Sequence, residues 1–208
     1  MNDRAVVTAA GIVRIAGKIE KQSQQEETEM NDYAVVTAPG TVRIERLLPG
    51  PIERIWSYLT ESDKRSQWLA AGNMELKDRG RVEFVFRNSE LTRNDDPAPA
   101  KYAEQAGEVV MTGRIIECEP PRLLVYTWGS EASVVRFELT PLGDKVKLVI
   151  AHSGVEKFDD MTSIAGGWHA HLRILAARLE GREPEGFWRS HTRLEAEYVK
   201  RLRAEPNP

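Results

Sequence analysis

The sequence predicts an α+β domain, a curved antiparallel sheet wrapped around one long helix near the C-terminus. Three observations carry this prediction. Short segments between Thr41 and His152 alternate apolar with polar residues, as half-buried strands do. A single helical pattern then runs from Asp159 to Gly181, with Met161, Ile164, Ala165, Trp168, Leu172, Leu175 and Leu179 at spacings of three and four. Between the first two strands lie two short helical patterns, an insertion that a plain meander lacks.

In chain order the first feature is a repeat. Met1–Ile15 (MNDRAVVTAAGIVRI) and Met30–Ile44 (MNDYAVVTAPGTVRI) match at 12 of 15 positions, at an offset of 29. A period of about 30 marks a solenoid only when it recurs, and no third copy exists. The simplest reading is a duplicated gene start, with Met30 the older beginning and the polar stretch after Lys18 a linker. A sharper expectation is that the first copy competes with the second for one sheet-edge position, in cis or by strand exchange in a homodimer.

Thr41–Leu48 reads as a strand, closed by Pro49-Gly50-Pro51. Pro51 suits the first turn of a helix over Pro51–Glu61, whose apolar face is Ile52, Ile55, Trp56 and Leu59. Ser62–Leu69 is a second short helix ending on Trp68 and Leu69. A turn at Asp78–Gly80 leads into a strand with Val82, Phe84 and Phe86 on one face. Asn88–Gln105 has almost no large apolar residues and reads as a long loop, of the kind that forms lids or stays disordered. Strands follow at Glu108–Glu119, Leu123–Trp128, Ser133–Thr140 and Lys145–His152, with turns at Pro120-Pro121 and Pro141–Asp144. Their inward positions include Leu124, Tyr126, Trp128, Val135, Phe137, Leu148, Ile150 and His152. Asp159 or Asp160 can cap the long helix, and Gly181 can stop it in the left-handed conformation. A last helix, Pro184–Arg203, carries Phe187, His191, Leu194, Tyr198 and Leu202 in a stripe. The expected organisation is therefore a duplicated segment and linker over 1–29, the main domain over 30–181, and a C-terminal helix and tail over 182–208.

The net charge of −3 gives no global attraction to nucleic acid or to an anionic membrane. The arginines of the C-terminal third are interleaved with glutamates, as on solvated helix faces. Cys118 is the single cysteine, so no intrachain disulfide exists, and nothing requires an oxidising compartment. No apolar run reaches the roughly 20 residues that span a bilayer, and the N-terminus lacks a signal-peptide pattern. Cytoplasm is the expected location.

The segments IERLLPGPIERIWSYLTESDKRSQWL, GRVEF, GRIIECEPPRLLVYTW, SVVRFELTPLGDKVKLVIAHSGV and GGWHAHLRILAARLEG occur in that order. Together they resemble the domain of homologues of the heat-shock ATPase activator, within the START-like (SRPBCC) superfamily. The resemblance covers about Thr41 to Gly181, with Trp56, Trp68, Trp128 and Trp168 as its tryptophan set. It departs at the extra N-terminal copy, at Asn88–Gln105 and in the C-terminal helix. It implies the helix-grip fold, with a cavity between sheet and long helix, but no single function.

In such an interior the aromatic residues are mostly core, and a subset lines the cavity. The candidate lining is Trp56, Trp68, Phe84, Phe86, Tyr126, Trp128, Phe137, His152, Gly167, Trp168, His171, Leu172 and Leu175, with Arg114 as a further polar candidate. His169 and His171 point about 160° apart on a helix and cannot clamp one metal ion together. No zinc-type spacing exists, so no metal or other cofactor is expected. His191 reads as a packing residue. Gly166-Gly167 would thin the helix where it meets the sheet or a ligand. No nucleophile elbow or phosphate-cradling loop is present. The leading expectation is a non-catalytic binding protein for a hydrophobic small molecule. The alternatives are a cyclase- or hydrolase-type enzyme using the same cavity, with His152, Tyr126 or a cavity acid as general base, and a chaperone-associated interaction domain, which only the resemblance implies.

Overall fold

The computed structural model describes residues 32–204. The first repeat copy, the linker and the final tail lie outside the described residues, and with them the expectation of edge competition.

Seven strands form one antiparallel sheet: β1 (Val35–Ala38), β2 (Thr41–Pro49), β3 (Arg81–Phe86), β4 (Val109–Glu119), β5 (Leu123–Thr127), β6 (Val134–Leu142) and β7 (Lys145–Ser153). The order across the sheet is β1-β2-β7-β6-β5-β4-β3. Among the described residues four helices join the sheet: α1 (Ile52–Thr60), α2 (Ser62–Arg65), α3 (Phe158–Leu179) and α4 (Phe187–Ala204). The fold is thus the α+β helix-grip arrangement that the order of elements predicts. The alternation does what the pattern requires. Ile44 and Leu48 of β2, Phe84 of β3, Tyr126 of β5, Phe137 of β6 and Leu148 and Ile150 of β7 are fully buried on the face that meets α3.

Four local features differ from the sequence reading. β1 is an additional edge strand, formed by the second repeat copy and turned into β2 through Gly40 at φ +69. α2 is shorter than Ser62–Leu69; the chain leaves the helix after Arg65, because the Arg65 side chain turns back to hold the following loop. α3 starts at Phe158, so Asp159 and Asp160 lie in its first turn, where their charge favours the helix dipole without a side-chain cap. α4 starts at Phe187 rather than Pro184.

The C-terminus of α3 ends as predicted. Gly181 sits at φ +68, its N–H donates to the Arg178 carbonyl, and the Arg182 N–H donates to the Ala177 carbonyl. The larger departure is that α3 is not an amphipathic cover. The stripe Ala165, Trp168, Leu172, Leu175 and Leu179 is buried, but so are Gly166, His169, Ala170, Ile174 and Ala177. α4 packs along that second side. Gly166 marks the closest approach, since a Cβ there would stand 3.2 Å from the Glu195 backbone. The paired glycines therefore admit a neighbouring helix rather than the sheet.

Candidate ligand cavity

Asn88–Gln105 is neither a free lid nor irregular throughout. It is a strap with 3-10 turns at Asn88–Glu90 and Ala100–Gln105, docked by polar contacts onto α4. The first N–H groups of a helix have no partner within the helix. Here Thr92 Oγ1 accepts from the Phe187 N–H at 3.0 Å, and the Asp95 carboxylate accepts from Trp188 at 2.8 Å and Arg189 at 3.2 Å. Gly186 admits this cap, because a Cβ there would stand 2.2 Å from Asp95 Oδ1. Farther along, the Tyr102 hydroxyl donates to Glu195 Oε1 at 2.8 Å and lies 2.7 Å from Ser163 Oγ. Lys101 pairs with the same buried carboxylate at 2.5 Å, and burial pushes the Tyr102 phenol up in pKa.

Between strap, sheet, α3 and α4 lies a cavity of about 370 Å³. Phe86, Val109 and Met111 form its floor, since the β3–β4 register pairs Phe86 with Val109 and Phe84 with Met111. Trp128 follows from the end of β5; α3 contributes Ser163, Ile164, Gly167, Trp168 and His171; α4 contributes Phe187, Trp188 and His191. Leu69, Asn88, Tyr102 and Gln105 complete the lining. The volume is within the roughly 300–1,000 Å³ of small-molecule pockets, and the walls are mainly aromatic.

Of the residues predicted from the sequence, Phe86, Trp128, His152, Gly167, Trp168 and His171 line this space. Phe84, Tyr126 and Phe137 are one layer deeper, in a packed ring cluster with centroids 5.2 Å apart for Phe84–Tyr126 and 5.5 Å for Tyr126–Phe137. Leu172 and Leu175 are fully buried on α3, and Trp68 is buried with its indole N–H donated to the Tyr58 carbonyl. Trp56 is half-buried on α1, away from the lining. These seven do not line the cavity, because the sheet and helix close on one another around them and the space opens only toward strap and α4. Arg114 is exposed and paired with Glu131.

Each histidine has a definite chemical state. His152 is fully buried, accepts the Trp168 indole N–H on Nδ1 at 3.0 Å and lies 2.8 Å from Ser133 Oγ through Nε2. An indole can only donate, so the His152 proton is on Nε2 and faces the serine. Burial lowers its pKa to about 4, and both nitrogens are occupied, which leaves no lone pair for a base role. His171 donates Nδ1–H to the Trp68 carbonyl at 2.7 Å, and burial lowers it to about 4. His169 faces α4, where the Tyr198 hydroxyl accepts the Ala34 N–H at 2.7 Å and lies 2.9 Å from His169 Nδ1. Burial, with nearby arginines, lowers His169 to about 2. Among the described residues no cluster of His, Cys, Asp and Glu could hold a metal ion, and no helix is long and apolar enough to cross a membrane.

A curved seven-stranded sheet gripping a long helix beside an aromatic cavity defines a helix-grip domain. The chain belongs to the family described as activator of Hsp90 ATPase homolog 1-like protein, whose profile matches residues 49–180. A solution structure of a protein from Bordetella parapertussis is similar at 41% identity and TM-score 0.69, covering 81% of this chain and 89% of that one. CalU16 from Micromonospora echinospora (18% identity, TM-score 0.57, 79% and 88% covered) and a conserved protein from Enterococcus faecalis (20%, 0.61, 84% and 91%) share the fold. Among curated proteins there is no match to this chain.

Proposed function

We propose that this protein binds an apolar small molecule in the strap-covered cavity and does not transform it. The observation that carries the reading is an aromatic space of ligand size in which the two side chains named as general-base candidates are unavailable: His152 is bonded at both nitrogens and Tyr126 is buried beneath the lining. The fold supports it, since helix-grip sheets enclose space that side chains do not fill. The test pairs native mass spectrometry of freshly purified protein with thermal-shift titration against apolar aromatic compounds. At a ligand concentration of about 100 Kd the stabilisation is roughly 2.7 kcal/mol, or about 5–10 °C in Tm. Trp128, Trp168 and Trp188 line the space, so their fluorescence changes in step with binding. Gly167→Leu, which places a side chain in the cavity, weakens binding about tenfold or more without unfolding the protein. A protein that carries no copurifying mass and is shifted by no apolar compound would rule the reading out.

A further inference from the structure

We infer that the cavity selects a neutral aromatic molecule carrying a hydroxyl group, held by donation of its O–H to His171. The inference rests on the binding reading above and concerns what the bound molecule must offer. The His171 ring is fixed by its Nδ1–H bond to the Trp68 carbonyl, which has no proton to give. The neutral imidazole therefore presents a bare lone pair at Nε2. His171 is only 7% exposed and lines the cavity, and among the described residues no donor reaches Nε2. Two other lining residues also carry unpartnered acceptors, His191 at Nδ1 and Asn88 at Oδ1, but both atoms are buried within the wall and do not open onto the cavity as His171 Nε2 does. Unsatisfied acceptors in an apolar wall are costly to bury, at about 1–3 kcal/mol each.

The indole and phenol donors of the lining are directed elsewhere. The Trp168 indole is given to His152, the Trp188 indole to Ser89 and the Tyr102 hydroxyl to Glu195. A ligand hydroxyl supplies the donor that His171 Nε2 lacks. Charge decides between a hydroxyl and an acid. No lysine or arginine lines the cavity among the described residues, the histidines are neutral, and the buried Glu195 carboxylate stands behind Tyr102. A carboxylate ligand would meet lone pairs with no countercharge. The rings set the shape, because Phe86, Trp128, Trp168, Phe187 and Trp188 offer faces and edges to a planar molecule.

Isothermal titration of the intact protein with four probes of one ring system tests this: 2-naphthol, naphthalene, 2-methoxynaphthalene and 2-naphthoate. The expected order is 2-naphthol at least about tenfold tighter than naphthalene or 2-methoxynaphthalene, which have no donor, with 2-naphthoate weakest. His171→Phe removes the preference for 2-naphthol over naphthalene, read as the ratio of their two affinities in the same variant. Equal binding of 2-naphthol and 2-methoxynaphthalene overturns the inference while the apolar-binding reading stands, and this comparison needs no variant. Tightest binding of 2-naphthoate overturns it as well. Failure of all four probes removes the reading on which it rests.

Discussion

Arg65 shows how a single side chain can close a loop. It is 1% exposed, and its guanidinium donates to the carbonyls of Thr60 at 3.0 Å, Ala70 at 3.1 Å and Gly72 at 2.6 Å while lying 5.5 Å from the Phe84 ring centroid. A buried cation with backbone carbonyls as partners is tolerated because the fork of donors matches them in number and direction. Arg65→Met keeps the volume but leaves three carbonyls without that donor. The expected loss is about 3 kcal/mol, read as a Tm lower by roughly 6–12 °C. A melting temperature within about 2 °C of the parent protein would show that water replaces the guanidinium without loss. Nothing in the sequence marks Arg65, since a charged residue after a short helix reads as solvated. The ring cluster was legible, because strict alternation puts Phe84 and Phe86, or Tyr126 and Trp128, on one face. Which of those rings borders empty space was not legible, because that depends on how closely sheet and helix approach.

At the scale of elements, α4 binds together parts of the chain that are far apart in sequence. Its start is capped by Asp95, its middle carries Glu195 to Tyr102, and its end sets Tyr198 between Ala34 and His169. The helix itself was legible from its stripe. Its place as a cavity wall was not, since the partners that dock it are polar strap residues with no periodic pattern, more than 90 positions away. The last contact gives a prediction about the edge strand. Tyr198→Phe removes the acceptor of the Ala34 N–H and the hydroxyl bonded to His169 Nδ1. The expected cost is about 1–3 kcal/mol, with faster hydrogen exchange at Ala34 and along β1 and unchanged protection in β5 and β6. Uniform loss of protection across the sheet would show that Tyr198 supports the core rather than the edge.

For the whole molecule, all four histidines are buried and lowered from the ordinary value of 6.5, chiefly by desolvation. The sign follows from linkage. The unfolded chain takes up protons as pH falls through about 6.5, whereas folded His152 and His171 resist until about 4 and His169 until about 2. Stability is therefore full above about pH 6.5 and is lost as pH falls toward 4. The expected drop in Tm is on the order of 10 °C between about pH 7.5 and about pH 5. A flat profile over that window would mean that the histidines protonate without unfolding.

The family match ends at residue 180, and α4 begins at Phe187. The cavity thus draws on two parts of the chain: a floor from the segment that the family profile matches, and one wall from a helix after it. A helix that also seals the outer side of α3 cannot simply be shed, yet its cavity-facing positions Phe187, Trp188 and His191 take no part in the register of the sheet. The wall can therefore be altered apart from the floor, one panel of the container at a time.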